Sequence, residues 1–461
     1  MSGISSPVPQ LSSSPILPNW LGLEAPRYTS YPTAHLFSPQ VGSETYSKWL
    51  SVLSDDAEVS IYIHIPFCKE LCWFCGCHTK ITNHYAPIAR YIAVLQQEIA
   101  LIKKLKGTKG KFTNIHFGGG SPSILSGEDL TAIMASVASL FPEKPTGEVA
   151  IELDPRTTTP ENIKLYADLG FNRVSLGIQD FDEKVQIAIN RVQPYEMVAE
   201  VVKNLRASGL NQINFDLIYG LPLQTLAGFT ETLQKTLALN PTRLALFSYA
   251  HVPNVKKHQT LIDASTLPSD AQKLEIYEAA CKILESSGYV PIGIDHFAKA
   301  DDPLAIATKN KTLRRNFQGY VTDTTDTLIG LGVSAISQFS QGYAQATTNS
   351  LDYLSAIEKG NLPIVRGYEF KGEDKIRKAI IDELMCFLSV DLREIASRFN
   401  LPENRFQNQL AELEKPEYQE IVAVSGTKIS VSGKHKMAAR VVSSMFDEYK
   451  ITTSGRYSKV S

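Results

Sequence analysis

A short stretch of the chain carries side chains that can bind a metal or a metal cluster. Four of the six cysteines fall in it, at Cys68, Cys72, Cys75 and Cys77. The first three have the spacing C-x3-C-x2-C, and the run IYIHI at residues 61–65 stands just before them. Such alternation of β-branched residues with aromatic or polar ones predicts a strand. The cysteines are therefore predicted on a loop leaving the carboxyl end of a strand, where α/β folds place their chemistry.

Thiolates at this spacing are compatible with several metals. Soft sulfur ligands favour zinc, Cu(I) or an iron–sulfur cluster, but structural zinc prefers two separated ligand pairs, and the chain has no second C-x2-C pair. A [4Fe–4S] cluster normally takes four cysteines, so three would leave one iron open to a ligand that is not protein. Cys77 stays open as a fourth ligand, although only Gly76 separates it from Cys75. Buried thiols without a metal are the remaining alternative.

The cysteine motif, with the aromatic Phe74 directly before its third cysteine, resembles that of the radical S-adenosylmethionine (SAM) superfamily. The added cysteine in CWFCGC and the segment PRYTSYPT at residues 26–33 narrow the resemblance to the oxygen-independent coproporphyrinogen III oxidase family. This resemblance implies a [4Fe–4S] cluster on Cys68, Cys72 and Cys75, with SAM on the open iron. It also implies a reaction, in which two propionates of coproporphyrinogen III are oxidatively decarboxylated to vinyl groups. The product is protoporphyrinogen IX, an intermediate of haem synthesis.

The same resemblance implies further site residues, many of them at or just past the ends of predicted strands. Those implied at the first SAM are Tyr62, Gly119, Glu152 and Ile336. Those implied at a second SAM are Phe74, Gly120, Ser121, Gln179, Arg191, Asp216 and Ala250. A role in catalysis is implied for Tyr62, Phe317 and Gln318. On pattern alone, Tyr62 is a half-buried strand aromatic, and Glu152 forms a structural ion pair with Arg156 or Arg173.

The four propionates of the implied substrate require cations, and arginine binds carboxylates with two parallel hydrogen bonds. A basic run, ATKNKTLRRNFQGY, covers residues 307–320. We predict that its two adjacent arginines, Arg314 and Arg315, bind substrate. A solvated basic loop explains the same residues equally well.

Strand and helix patterns alternate from residue 61 to residue 294, and seven strands are predicted there. This alternation is typical of a parallel sheet with right-handed crossovers. Together with the resemblance, it predicts an α/β fold, an open partial (β/α) TIM-like barrel with a mainly helical C-terminal domain. The predicted divisions are a disordered Ser/Pro-rich tail at 1–24, the barrel with an N-terminal segment at 25–348, and the C-terminal domain at 349–461.

The charge balance argues against a general nucleic-acid or membrane-surface binder. The chain has 46 Lys+Arg and 48 Asp+Glu, a formal net charge of −2, and its sequence contains no apolar run of transmembrane length. Residues 1–24 lack the features of a secretory signal. Clustered thiolates need a reducing compartment, so a cytoplasmic protein is predicted. We expect a monomer that receives electrons from a protein such as flavodoxin or ferredoxin.

Three rival functions remain open at this point. A haem-trafficking chaperone of the same superfamily generally lacks the last cysteine of C-x-C and the PRYTSYPT segment, and both are present here. An anaerobic haem-opening methyltransferase would transfer a methyl group to haem and release no CO2. A non-enzymatic iron–sulfur protein would not cleave SAM.

Overall fold

The computed structural model describes residues 19–323 and 325–450. The strands are β1 (Glu58–Ile65), β2 (Phe67–Cys68), β3 (Lys80–Ile81), β4 (Lys111–Gly119), β5 (Val149–Leu153), β6 (Arg173–Gln179), β7 (Gln212–Tyr219), β8 (Arg243–Ser248), β9 (Tyr289–Ile292), β10 (His296–Lys299), β11 (Arg314–Asn316), β12 (Gly319–Val321), β13 (Thr327–Leu331), β14 (Ile336–Phe339), β15 (Gly342–Ala346), β16 (Ile364–Glu369), β17 (Ser389–Asp391), β18 (Val422–Ser425) and β19 (Lys428–Val431).

The helices lie between these strands and in the C-terminal part of the chain. They are α1 (Ser43–Ser51), α2 (Ala86–Lys106), α3 (Gly127–Ala138), α4 (Pro160–Asp168), α5 (Glu183–Ala188), α6 (Tyr195–Ala207), α7 (Leu226–Ala238), α8 (Asp270–Ser286), α9 (Pro303–Lys309), α10 (Ser350–Glu358), α11 (Asp374–Phe387), α12 (Leu392–Arg398), α13 (Gln407–Leu413) and α14 (Ala439–Ser443).

One large sheet organises the described chain. Its strand order is β16-β15-β14-β13-β1-β4-β5-β6-β7-β8-β10-β9, and the run from β13 to β8 is parallel. Along β7, buried side chains alternate with partly exposed ones, so one face of the sheet there is covered and the other is partly open. The sheet does not close on itself, because β16 and β9 form its two edges. The prediction of an open α/β sheet is confirmed.

The seventh parallel strand is not the predicted one. Residues 290–294 were expected to continue the parallel run, but β9 pairs antiparallel with β10, and β10 pairs antiparallel with β8. The physical reason is the short link between β9 and β10, since parallel neighbours need a crossover of a dozen or more residues. The seventh parallel strand is β13, which follows much later and lies on the other side of β1.

Several helix starts follow directly from the sequence. The Ser126 hydroxyl accepts a hydrogen bond from the Asp129 amide at 3.2 Å and caps α3. Thr159 caps α4, with Pro160 at its first position. Ser269 and Gln272 form a reciprocal capping box at α8. These capping residues determine the first residues of α3, α4 and α8.

The two ends of the chain differ from the prediction. Most of the predicted tail lies outside the described residues, but residues 19–22 form a 3-10 helix, and Trp20 and Leu21 are buried. The prediction of disorder is wrong for this part, because large apolar side chains gain from burial. At the other end, the main sheet continues past residue 348 into β16. Beyond β16, helices α11 to α14 pack with a small antiparallel sheet of order β17-β19-β18.

Candidate functional site

The four clustered cysteines face one cavity at the carboxyl ends of the parallel strands. The cysteine loop leaves β1, and Cys68 lies in β2, which pairs in parallel with β3. Cys68, Cys72, Cys75 and Cys77 are all free thiols and line a cavity of about 170 Å³. Cys72 is buried and Cys77 is exposed. The sequence-based expectation that this loop begins at a strand end is confirmed.

Neighbouring loops fix the backbone of the cysteine loop. The Asn190 side-chain amide donates to the Leu71 carbonyl at 2.9 Å, and the Trp73 amide donates to the Ile189 carbonyl at 2.9 Å. Side-chain and backbone partners of this kind remove freedom from a loop that has little regular structure of its own. The thiols are thus held in place by the loop that follows β6.

The cysteine sulfurs lie in a polarised environment. Arg191 Nη1 and Arg156 Nη2 stand 3.5 and 3.6 Å from Cys72 Sγ, and both cations also pair with Asp154. A hydrogen bond from the Cys77 thiol lowers the pKa of Cys75 to about 6, whereas burial raises the pKa of Cys68 to about 12. Cations near sulfur favour the thiolate, which is the form that binds metals.

The glycine run after β4 allows the backbone to approach the cysteine loop. The Gly120 amide donates to the Ile65 carbonyl, and the Ser121 amide donates to the Phe67 carbonyl, each at 2.8 Å. A Cβ atom at Gly120 would lie 2.6 Å from the Phe67 carbonyl oxygen, so only glycine fits. Gly119, Gly120 and Ser121 all line the thiol cavity.

Glu152 presents a carboxylate to the same cavity. Its Oε1 pairs with His116 Nε2 at 3.1 Å, and its Oε2 accepts from the Gly119 amide at 3.2 Å. Burial alone would raise its pKa, but the hydrogen bond and charge of His116 outweigh burial, and the pKa falls below its ordinary value. The expected ion pair with Arg156 or Arg173 is wrong, since Arg156 pairs with Asp154 and Arg173 with Glu148.

Three more predicted residues complete the wall formed by β6 and β7. Gln179, Arg191 and Asp216 line the cavity. Arg191 is anchored by a hydrogen bond from Nη2 to the Gly177 carbonyl at 2.8 Å. Burial, and then the negative charge of Glu152, raise the pKa of Asp216 to about 6. Arg191 therefore gives the cavity a cation, and Glu152 and Asp216 give it two carboxyl groups of different acidity.

Tyr62 lies on β1 and Ile336 on β14, with β13 between these strands, and neither residue lines the thiol cavity. The Tyr62 ring stacks on His116 at a centroid distance of 6.0 Å, and its pKa is raised well above the usual value by burial and by Glu152. Tyr62 pairs with Gly330 across β1 and β13. A Cβ atom at Gly330 would lie 2.5 Å from the Ile336 carbonyl. These contacts bring the two predicted residues close to one another.

Phe317 and Gln318 form the turn between β11 and β12. Phe317 packs, like Ile336, against the aromatic cluster of Phe37, Tyr343 and Tyr368. Gln318 Nε2 is buried and has no hydrogen-bond partner among the described residues. A buried amide without a partner is costly. Phe317 and Gln318 line neither the thiol cavity nor the second cavity described below.

The last predicted residues lie at a second, larger cavity of about 550 Å³. It is lined by Ala250, by Arg27 of the N-terminal segment, and by Arg315 and Arg440. Arg314 does not line it, because alternation along β11 turns neighbouring side chains to opposite faces. Of the two adjacent arginines, only Arg315 reaches this second cavity, although both line a further cavity of about 330 Å³.

The sequence analysis missed two kinds of site residue. Asp154 and Arg156 line the thiol cavity, and only their position directly after β5 could have indicated this. His116 is the partner of Glu152 and lies on the neighbouring strand. The sequence shows both His116 and Glu152, but their pairing can be predicted only if β4 and β5 are known to be neighbours.

The class of protein follows from a comparison with known families. Residues 62–236 match the model of the radical SAM superfamily. This match covers the cysteine loop, the glycine run and the strands that carry Glu152, Gln179 and Asp216. The predicted superfamily is confirmed.

Full-length relatives narrow the assignment. The chain is 42% identical over 424 residues to an oxygen-independent coproporphyrinogen III oxidase of Bradyrhizobium diazoefficiens, covering 92% of this chain and 94% of the relative. It is 39% identical to coproporphyrinogen III oxidase, anaerobic 1, of Cereibacter sphaeroides, covering 95% and 96%. The structure of coproporphyrinogen III oxidase (HemN) from Escherichia coli, a radical SAM enzyme, matches with a TM-score of 0.88 and 35% identity, covering 92% and 98%. The chain belongs to the oxygen-independent coproporphyrinogen III oxidase family.

Two further properties concern metals and membranes. Within the ranges that the structure describes, no three His, Cys, Asp or Glu side chains close around one metal-ion position. In a [4Fe–4S] cube each thiolate binds a different iron, so its ligands do not converge on a single ion. None of the described helices has the length and apolar character needed to span a bilayer.

Proposed function

We propose that the thiol cavity is the site at which this chain carries out the activity of its family, the oxygen-independent oxidation of coproporphyrinogen III. The observation that carries the proposal is the meeting of Cys68, Cys72 and Cys75 with a glycine run and an ionised carboxylate at one cavity. Each of two propionates would lose CO2, one hydrogen atom to the radical derived from SAM, and one electron to a one-electron acceptor, leaving a vinyl group. The product would be protoporphyrinogen IX.

The donor set supports a [4Fe–4S] cluster on Cys68, Cys72 and Cys75. Three thiolates leave one iron without a protein ligand, and the cations at Cys72 compensate the charge that such a cluster brings. Cys77 is exposed and shares a hydrogen bond with Cys75. We assign it no ligand role.

The polar groups around the thiols support a SAM site. Glu152 offers an ionised carboxylate for an ammonium group, and the glycine run offers backbone that a ligand can approach closely. Tyr62 on β1 and Ile336 on β14 would add apolar surface beside the ligand. We assign Tyr62, Gly119, Glu152 and Ile336 to the first SAM.

A second SAM is proposed next to the first. Asp216 suits hydrogen bonding to ribose hydroxyls, and Arg191 suits a carboxylate. Phe74, Gly120, Ser121 and Gln179, which line the same cavity, would supply stacking and backbone contacts. Ala250 lines the larger cavity and would contact this SAM from there. The number of SAM molecules per chain is thus part of the proposal.

The protein's own residues would position the ligands and neutralise the charge at the thiolates. When bound, the cluster and SAM supply a one-electron reductive cleavage that yields a carbon radical able to remove hydrogen from an unactivated carbon. Arg191 and Arg156 neutralise charge at the thiolates, and Glu152 orients the ligand's ammonium group. Phe317 and Gln318 would hold the substrate edge near the cavity. Correct placement of the substrate would lower the barrier by removing orientational freedom.

The larger cavity is proposed to hold the substrate. Its volume of about 550 Å³ is within the range of sites for large ligands. Arg315 donates from Nε to the Tyr28 carbonyl at 3.3 Å, and its guanidinium lies 4.6 Å from the centre of the Tyr320 ring. These contacts hold the planar group in one orientation, as carboxylate binding requires. We keep the substrate role for Arg315 and withdraw it for Arg314.

The cellular context is proposed from the same chemistry. A labile cluster on free thiols suits the reducing cytoplasm. An exchangeable protein such as flavodoxin or ferredoxin would deliver the electron, and the chain would act as a monomer without nucleic acid.

The test is a product analysis. The chain is reconstituted with iron and sulfide without oxygen, then incubated with dithionite, SAM and coproporphyrinogen III. We expect two successive losses of CO2 and two hydrogens by mass, with protoporphyrinogen IX as the end product. Cleavage of SAM with unchanged porphyrinogen, or methylation of haem instead, would contradict the proposal.

A further inference from the structure

The loop between β8 and α8 reaches across to the cysteine loop. Lys256 Nζ donates to the Cys77 carbonyl at 3.1 Å, and His258 Nε2 lies 2.7 Å from the Cys75 carbonyl oxygen. Gln259 Nε2 donates to the Phe74 carbonyl at 3.1 Å. Three side chains from one loop therefore bind three carbonyls of the loop that carries the thiols.

These contacts join two distant parts of the sheet. β1 and β8 are separated by β4, β5, β6 and β7 in the strand order. The loops that follow β1 and β8 meet because the sheet curves. The hydrogen bonds thus tie the loop after β8 to the cysteine loop.

Gln259 is the most deeply buried member of this group, with 1% of its surface exposed. Its Nε2 also donates to the Ala250 carbonyl at 3.2 Å, and its Oε1 accepts from the Val252 amide at 2.6 Å. One side-chain amide thus satisfies three backbone groups. Loss of such an amide leaves buried backbone groups without hydrogen bonds. The backbone must then move, or the folded state is destabilised by the desolvation cost of these groups.

Apolar packing supports the same junction. Tyr249, Ile262 and Ile189 are buried in one cluster, and Trp73 and Phe74 of the cysteine loop pack against it. The position of Phe74 is therefore set by apolar contacts on its side chain and by Gln259 on its carbonyl. The position of Ala250 is fixed by the same glutamine, whose Nε2 also donates to the Ala250 carbonyl.

We propose that Gln259 is a positioning residue that holds the two halves of the second SAM site together. Phe74 comes from the cysteine loop and Ala250 from the β8–α8 loop, and the Gln259 amide is hydrogen-bonded to both carbonyls. The inference rests on the proposed function, which assigns Phe74 and Ala250 to a second SAM. His258 and Lys256 hold the neighbouring part of the cysteine loop, as partners that orient metal ligands do.

The test counts SAM molecules and does not depend on turnover. Gln259→Met keeps an unbranched side chain of similar size and removes the amide. The parent chain and the variant are reconstituted without oxygen, and radiolabelled SAM is titrated by equilibrium dialysis alongside iron analysis. We expect equal iron content, an unchanged first equivalent of SAM, and a second equivalent weakened by about tenfold or more.

Controls separate this inference from the proposal beneath it. Lys257→Ala, on the exposed neighbour of His258, should leave both equivalents unchanged. If the parent binds two SAM molecules and Gln259→Met binds both as tightly, the inference fails and the two-SAM proposal stands. If the parent binds only one, both fail. If Gln259→Met does not fold, Gln259→Asn, whose shorter amide cannot reach both carbonyls, gives the same comparison.

Discussion

The two ends of the parallel sheet both carry clustered charges, but the clusters are built differently. At the amino ends of the strands, Arg173 and Arg243 each pair with both Glu148 and Asp302 at 2.6 to 3.3 Å. Both carboxylates are thus shared by two arginines. At the carboxyl ends, thiols and carboxyl groups line an open cavity instead.

The difference separates stability from function. Charges that are buried and mutually paired hold strands together, and removing one member leaves its partners without compensation. Charges that face a cavity are poised for a ligand, and their perturbed pKa values reflect this. Asp216, with a pKa near 6, and Glu152, with a lowered pKa, illustrate the second case. Substitutions at the two ends should therefore have different effects.

The largest effect is expected at the cysteine ligands. Cys75→Ala should abolish cluster binding and reduce activity by about a thousandfold or more, because one iron loses its protein ligand. The fold should survive, since the loop is also held by backbone partners. Iron analysis, activity and circular dichroism measure these three properties. The matched control is Cys281→Ala, far from the cavity, and equal loss of iron in both variants would contradict the comparison.

At the amino ends, Asp302→Ala should destabilise the fold by about 3 to 5 kcal/mol, because it strips a buried pair of arginines of one carboxylate. The Asp302 side chain is fully buried. Urea unfolding measures the change. SAM binding per folded molecule should stay the same, and a specific loss of SAM binding without loss of stability would reverse the assignment of the two ends.

A buried carboxylate that has no cationic partner among the described residues gives a pH test. Glu98 accepts hydrogen bonds from the Gly332 amide and the Tyr353 hydroxyl, and burial raises its pKa from 4.5 to about 7. The folded state therefore holds a proton that the unfolded state has lost, and stability should fall as pH rises from about 4.5 to 7, by up to about 3 kcal/mol. In Glu98→Gln the dependence should become shallower by that amount, leaving the part due to other groups such as Asp216. Unfolding curves across that range measure the change, and an unaltered dependence would rule out Glu98 as a source.

Glu152→Gln keeps the shape of the side chain but removes its charge. We expect SAM to bind about tenfold to a hundredfold more weakly, because an ammonium group would lose a charged acceptor. Thermal stability should change little, in contrast to Asp302→Ala. Equilibrium dialysis measures the SAM affinity of the variant, and an unchanged affinity would contradict the assignment of Glu152 to the SAM site.

The smallest effect is expected in the substrate cavity. Arg315→Ala should raise the KM for coproporphyrinogen III by about tenfold, since one of several cations is lost. Arg314→Ala is the matched control on the opposite face of the same strand and should leave the KM unchanged. Steady-state kinetics of both variants test this, and equal KM values for the two would withdraw the substrate role of Arg315.

Much of the site could be predicted because it depends on local pattern. The strand before Cys68 and the glycines after β4 are written in short stretches of sequence, and the structure brings them to one cavity. The helix starts at Ser126 and Ser269 are equally local. Helix caps and strand alternation depend on residues a few positions apart, so they can be predicted from short stretches of sequence.

The rest depends on pairing between distant segments. The antiparallel hairpin of β9 and β10 could not be distinguished from one more parallel strand, because periodicity does not report direction. The separation of Arg314 from Arg315 required knowing that they lie in a short strand. The role of Gln259 could not be predicted from the sequence. It binds the backbone carbonyls of residues 74 and 250, and a backbone carbonyl is present whichever side chain stands at those positions. The burial of Trp20 likewise depends on packing against distant residues such as His435.

The central claim is that three thiolates hold an iron–sulfur cube whose fourth iron takes SAM. Electron paramagnetic resonance of the reduced, reconstituted chain, recorded before and after SAM is added, tests it most directly. The account predicts about four irons per chain and a spectrum that SAM alters. A zinc-loaded chain, or a cluster spectrum that stays the same at saturating SAM, would contradict it.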